Sequence, residues 1–498
     1  MTSLKIFEEP AIEFRYGQQL SDPHDGLSLF GPVDADSSSH PKNIIYGVIG
    51  TKEGVDAFNN WSKRINAPIV PAEGISKRLW PPFPGFREIF DSVWPEKPSF
   101  VHEIERDRLL HASRNVDPNK RAYSVVDEYM NGISLLEKHD ESFNLIVCIV
   151  PDEVWRNCRP ESRIADGWGD TVSKKTRQLR AEGQTPLFDE WAIAEYQHSV
   201  DFRRQLKARA MHFNVPLQII RESTLEINPD HDSERRGLTD MSDRAWNLST
   251  AIYYKSGGKP WKLASAREGV CYIGISFRRT GKEFNSKTAC CAAQMFLDSG
   301  DGIVFLGDDG PWYSPENKQF HLTEVASKKL LEGILQTYDQ LEGKILKEIF
   351  LHSRSDISTD EFKGYQKACP NGVKIVGIRV KDDPFIRLFR KGTRPVIRGT
   401  FWQINEKTGY LWASGFKSRL ATYDGWEVPV PLRIDIQHGK ASIEQVSRDI
   451  FSLTKLNYNA CKLGDSEPVT IGFSNAVGEI LISNPKIKER NPKFKFYI

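Results

Sequence analysis

Apolar positions recur along this chain with two periods. Runs of strand length include NIIYGVIG at Asn43–Gly50, FNLIVCIVP at Phe143–Pro151, the stretch Val215–Arg221, VCYIGISF after Gly269 and VKIVGIRV at Val373–Val380. Each is short, nearly continuous and closed by turn residues, as buried strands are. Between them the spacing becomes helical, over Gly54–Asn66, Tyr123–Lys138, Phe202–Phe213, Glu324–Leu341, Glu361–Ala368 and Ile443–Leu453. GDGIVFLGDDG reads as a strand and then a turn, ILKEIFLHSRSD as a strand entering a polar turn, and the run holding Cys290 and Cys291 as helical. The polar stretch Arg156–Thr185 reads as a surface loop with short helices. Strands alternating with helices predict parallel sheets flanked by helices, an α/β fold. Residues 1–125, rich in Pro and Gly, read as an irregular, partly β, linker-like segment; 126–262 and 263–498 read as two α/β units.

Composition narrows this picture slightly. The 498 residues are 39% hydrophobic and 27% charged, ordinary for a globular protein, and the net charge is only +2. Any nucleic-acid binding must therefore rest on a local cleft and not on a global basic field. Seven cysteines are scattered without a CxxC pair or zinc spacing, which predicts reduced thiols. MTSLKIFEEP carries no basic-then-apolar leader, and no apolar run nears the roughly 18 residues that a membrane span needs. The expectation is a cytoplasmic protein without membrane contact.

The most informative chemistry lies in DFRRQLKARAMHFNVPLQ at Asp201–Gln218 and NLSTAIYYKSGGKPW at Asn247–Trp261. A helical Lys207, a strand-edge Gln218 and Lys255 before Gly257-Gly258 can converge on one anion, with backbone N–H groups completing the shell. That predicts a pocket for a terminal phosphate of a nucleic acid. The alternative is that Arg203, Arg204, Lys207 and Arg209 form a solvated helix face. Trp246 and Trp261 bracket the Lys255 turn as packing residues, His352 reads as a packed or capping residue, and GDDG as a turn. There is no P-loop and no GxGxxG.

These residues, with YIGISF at Tyr272–Phe277, LTKLNYNA at Leu453–Ala460 and PVTIGFSNAVGEIL at Pro468–Leu481, resemble the Argonaute family. More narrowly, the chain resembles the short prokaryotic Argonautes, with a looser match in EPAIEFRYGQQLSDPHDGLSLFGP. The resemblance implies a Rossmann-like MID domain over 126–262 and a ribonuclease-H-like PIWI domain over 263–498. It implies that Arg203, Lys207, Gln218 and Lys255 hold the 5′-phosphate of a guide. Arg203 stands where the family carries an aromatic residue stacked on the first base; a guanidinium plane can stack there too. Mg²⁺ is implied between that phosphate, Gln218 and the carboxylate of Ile498, the alternative being a frayed tail.

The metal-binding carboxylates of the nuclease fall at Ser276, Arg354 and Asn475, which cannot hold paired cations. The resemblance thus implies an inactive nuclease and no enzyme activity in this chain. Arg278, Arg279 and Arg354 would contact nucleic-acid backbone, as would Asn457 and Asn459 unless they serve a turn or cap. The implied partners are a small guide RNA, a single-stranded DNA target and an APAZ-bearing effector (sirtuin-type, TIR or nuclease) of a prokaryotic immune system, with a higher oligomer on activation. The other reading is a guided, metal-dependent nuclease that uses displaced carboxylates at Asp301, Asp308, Asp309 or Asp356.

Overall fold

The computed structural model describes residues 3–170, 172–181, 195–227, 239–279, 289–296, 302–314, 316, 318–341, 345–423, 425–483 and 491–498. The first half of the chain supplies β1 (Ser3–Ile6), β2 (Tyr46–Gly50), α1 (Lys52–Ile65), β3 (Phe100–Glu103), α2 (Pro118–Glu137), β4 (Leu145–Val150), α3 (Asp152–Asn157), α4 (Phe202–Ala210), β5 (Leu217–Arg221) and α5 (Met241–Lys255). The second half supplies β6 (Val270–Arg279), β7 (Ala289–Phe296), β8 (Gly302–Gly310), α6 (Glu324–Leu341), β9 (Glu348–Ser353), α7 (Thr359–Ala368) and β10 (Lys374–Asp382). It ends with β11 (Thr400–Gln403), β12 (Thr408–Trp412), β13 (Leu432–His438), α8 (Ile443–Ser452) and α9 (Val469–Leu481).

The smaller sheet has the order β3-β2-β4-β5 and is wholly parallel. Parallel strands covered on both faces become continuous apolar runs, and all six residues of β4 are buried. Two of its strands come from the segment expected to be linker-like, and α2 spans the boundary expected at residue 126. The apolar run Asn43–Gly50 announces β2, but Pro- and Gly-rich surroundings conceal β3, which joins the sheet by pairing with β2, as β2 does with β4.

The larger sheet has nine strands in the order β1-β11-β12-β13-β10-β9-β6-β7-β8. Its centre is parallel, β6 with β9 and β9 with β10, so the C-terminal ends of these three strands share one edge. At one margin β1 pairs with β11, tying the first residues of the chain to the second unit. Gly274 permits the close approach of α9 to β6, since a Cβ there would lie 2.0 Å from the Thr470 carbonyl oxygen. Two expectations fail in this sheet. The run holding Cys290 and Cys291 is the strand β7, not a helix, because the ladders from β6 and β8 take up its backbone groups. GDDG closes β8 as strand rather than turn: Asp309 is still paired with Cys290.

Candidate nucleic-acid interface

Local rules fix the three elements that carry Lys207, Gln218 and Lys255. Asp201 caps α4, its side chain accepting from the Arg204 N–H at 3.0 Å, and the buried Phe202, Leu206 and Ala210 turn one face of the helix inward. Gln218 stands in β5 opposite Val147 of β4. Asp240 caps α5, which ends at Lys255 because Gly257 takes the left-handed conformation, φ 107°. Gly258 lies flat on Tyr253; a Cβ would stand 2.3 Å from that ring. Tyr253 donates to Asp34 at 2.5 Å and meets His40 at 2.9 Å, a buried network that holds the turn.

The structure brings Gln218 and Lys255 into direct contact and places Lys207 within electrostatic reach of Lys255. Lys207 and Lys255 are 3% and 2% exposed, so the α4 basic run is not simply a solvated face. The Lys207 ammonium donates to the Tyr497 carbonyl oxygen at 3.2 Å and to the Ile498 oxygen. Lys255 donates to the Leu217 carbonyl at 3.1 Å and to Gln218 Oε1 at 2.8 Å. Burial, then Lys255 and Arg203, pushes Lys207 well below the ordinary lysine pKa. Burial and then Arg203 do the same to Lys255. Among the described residues, no Asp or Glu side chain is bonded to either ammonium. The oxygens that meet the two ammonium groups do not remove the repulsion between neighbouring cations, and a phosphate oxyanion would add charge-assisted hydrogen bonds there.

Beside the lysines opens a cavity of about 350 Å³ whose walls include Arg203, Arg204, Trp155, Arg159, Glu479 and Tyr497. Arg203 is exposed to it. Desolvation draws its pKa down, with Asp201 opposing, but it is the exposure that lets the guanidinium meet a ligand. Arg204 is ion-paired with Glu479, and Arg209 with Asp127, so the four basic residues of α4 have different duties. Sequence reasoning missed Tyr497, Trp155 and Lys495. Lys495 stands at the Gly257 turn, 3.8 Å from where a Cβ on that glycine would be, and burial with Lys493 nearby lowers it to about 8. The basic-aromatic alternation of KFKFYI was the available signal.

At the edge of the larger sheet the cations are paired instead. Ser276 is buried and donates to the Ser474 carbonyl at 2.8 Å. Arg354 meets Glu467 at 2.6 Å and Asp382 at 3.8 Å, and Arg278 meets Glu479 at 2.8 Å. Arg278 and Arg354, expected to contact nucleic-acid backbone, both have carboxylate partners distant in sequence. Asp356 is held by Arg379 and by Gln319 at 2.8 Å. Burial would raise its pKa, but Arg379 and its hydrogen bonds keep it low. Asn457 accepts from the Asn459 N–H at 2.9 Å and donates to Asp465 at 2.7 Å, which builds an internal turn. Asn459 is half-buried beside it. His352 is packed as expected, 2.9 Å from the Thr470 hydroxyl, and burial lowers its pKa to about 3. Asp301 and the side chains of Arg279, Asp308, Asp309 and Asn475 lie outside the described residues.

Gln218 and Ile498, expected to hold Mg²⁺, both lie against the lysine pair. Gln218 Oε1 accepts from Lys255 and the Ile498 oxygen from Lys207, so each oxygen already faces a cation. Among the described residues, no group of three or more His, Cys, Asp or Glu could hold a metal ion.

No protein-family model matches the chain. No curated protein matches it. Solved structures do. Clostridium butyricum Argonaute, determined with a guide DNA and a 19-mer target DNA, aligns over 100% of this chain with a TM-score of 0.65 and 14% identity. A. aeolicus Argonaute aligns over 99% with a TM-score of 0.58 and 14% identity. Aa-Ago with externally bound siRNA aligns over 99% with a TM-score of 0.57 and 13% identity. The chain spans 55%, 55% and 56% of those three proteins. Its fold is the mixed α/β fold of Argonaute MID and PIWI structures. Among the described residues, no helix is long and apolar enough to cross a membrane.

Proposed function

We infer that this chain grips the 5′-phosphorylated end of a small guide, RNA by the resemblance, and presents it for pairing with a single-stranded DNA target. One observation carries the reading: Lys207 and Lys255 are both buried, they are held by main-chain and amide oxygens, and no Asp or Glu side chain among the described residues is bonded to either ammonium. A terminal phosphate accepting from these donors relieves the repulsion between neighbouring cations and gains charge-assisted hydrogen bonds. The likeness to an Argonaute determined with guide and target strands supports it. Base pairing would carry sequence specificity, and the protein would read end chemistry and backbone.

The same reading assigns no strand cleavage to this chain. Serine at 276 and an ion-paired arginine at 354 offer no site for paired Mg²⁺ ions, and Asp356 is committed to Arg379 and Gln319. Target recognition would instead be passed to an APAZ-bearing effector of the NADase or nuclease kind, in prokaryotic defence and in the cytoplasm. The test is to co-purify nucleic acid with the chain, alone and with such a partner, and to label the ends. Short strands carrying 5′-phosphates are the expected yield. Strands of random length and end chemistry, or none, count against the reading.

A further inference from the structure

After β10 the chain continues as DDPFIRLFRKGTRP, residues 382–395. From Phe385 to Phe389 burial alternates with period two. Ile386 and Leu388 pack against the cluster of Val396, Tyr410 and Trp412, which anchors the segment to the larger sheet. Phe385, Arg387 and Phe389 face outward, the two rings 90% and 73% exposed. An aromatic side chain brings roughly 150–250 Å² of surface, so leaving two uncovered within five positions marks a contact surface, not chance exposure.

The charges around the rings indicate what is contacted. Arg387, Arg390, Lys391 and Arg394 form no ion pair among the described residues. Arg387 donates to the Pro384 and Ile386 carbonyls, while Arg390 and Arg394 lie over the Phe416 ring. The acids at the root point elsewhere: Asp382 faces Arg354, and Asp383 caps the Phe385 N–H and accepts from Tyr410. Exposed rings among uncompensated cations fit a polyanion whose own flat groups can stack, which describes unpaired nucleic acid better than a protein surface.

Position agrees. Because β6, β9 and β10 are parallel, Arg278, Arg354 and the root of this segment lie along one edge of the sheet. Arg278 shares Glu479 with Arg204, which lines the end pocket. From β6 to β10 is two strand spacings, roughly 10 Å. A strand held by its end in the pocket and laid along this edge reaches the rings within a few nucleotides.

We propose that Phe385, Arg387 and Phe389 form a stacking row that binds unpaired single-stranded nucleic acid lying along the C-terminal edge of the larger sheet. The proposal uses the end-pocket reading only for where the strand starts, and the two are separable by experiment. Fluorescence polarisation of the full chain would use two probes: a long oligothymidylate with a 5′-hydroxyl, and a short strand with or without a 5′-phosphate. The variants are F385A/F389A and, as a control for an exposed apolar residue elsewhere, V325A.

The double variant is expected to weaken binding of the long probe by roughly tenfold or more, since each ring stacks on a base. It should leave the phosphate preference of the short probe intact, and V325A should change neither. A long-probe affinity within twofold of wild type overturns the stacking row, and overturns it in favour of a protein-docking surface if the double variant then fails to bind a partner that the wild type retains. Loss of phosphate preference in the wild type sinks the end pocket instead, and the long-probe result still decides the row.

Discussion

The end pocket and the edge of the larger sheet are both built from cations, and they treat them in opposite ways. In the pocket, Lys207 and Lys255 are buried against carbonyl and amide oxygens, with more positive charge as their neighbour. At the edge, Arg278 and Arg354 are partly exposed, and each has a glutamate. Water can compensate a partly exposed ion pair, and such a pair contributes about 0–1 kcal/mol. A buried ammonium among like charges has no such relief and is costly to keep. The contrast teaches where a ligand belongs: buried cations crowded by like charge favour an incoming anion, whereas surface cations paired with carboxylates are finished structure.

The largest effect that could break this contrast comes from K207A/K255A. Removing two charge-assisted contacts should cost roughly 3 kcal/mol or more, over a hundredfold, in affinity for a 5′-phosphorylated strand. Titration of variant and wild type, with circular dichroism to confirm folding, checks it. G274A strikes the other region. Its Cβ would collide with the Thr470 backbone, so chemical denaturation should show a loss of about 1–3 kcal/mol.

A pH series sharpens the comparison. In the unfolded chain lysine titrates near ~10.4, and in the ligand-free fold both pocket lysines titrate below that. Between the two values the unfolded chain binds more protons, so this part of the stability rises with pH across that window. The rise should be absent in K207A/K255A. Smaller still, R354A should alter nucleic-acid affinity by about twofold or less and stability by about 1 kcal/mol or less, because it removes a partly exposed pair. EDTA should weaken end binding less than either lysine substitution does, since ammonium groups already occupy the oxygens a metal would need.

Much of this was legible in the sequence, for reasons that differ by element. Continuous apolar runs announced β4, β6 and β10, and strong periodicity announced α6. The run around Cys290 misled because Ala, Gln and Met favour helix; ladders on both sides overrode that preference. The three pocket residues were legible as two lysines and an amide on a helix, a strand edge and a glycine turn, and their burial was not visible in advance. The partners of Arg354 and Arg278 were out of reach. Glu467 lies 113 residues beyond Arg354, and nothing local to either residue encodes the pairing. The same holds for β3, whose place in a parallel sheet depends on β2, about fifty residues earlier in the chain.

The most direct test is calorimetric titration of the wild-type chain with two strands that differ only in a 5′-phosphate or a 5′-hydroxyl, repeated in buffers of different ionisation enthalpy. The account predicts that the phosphorylated strand binds at least about tenfold more tightly and takes up protons as it does so, because the phosphate raises the depressed lysine pKa values. Equal affinity for the two strands, with no proton uptake, would contradict it.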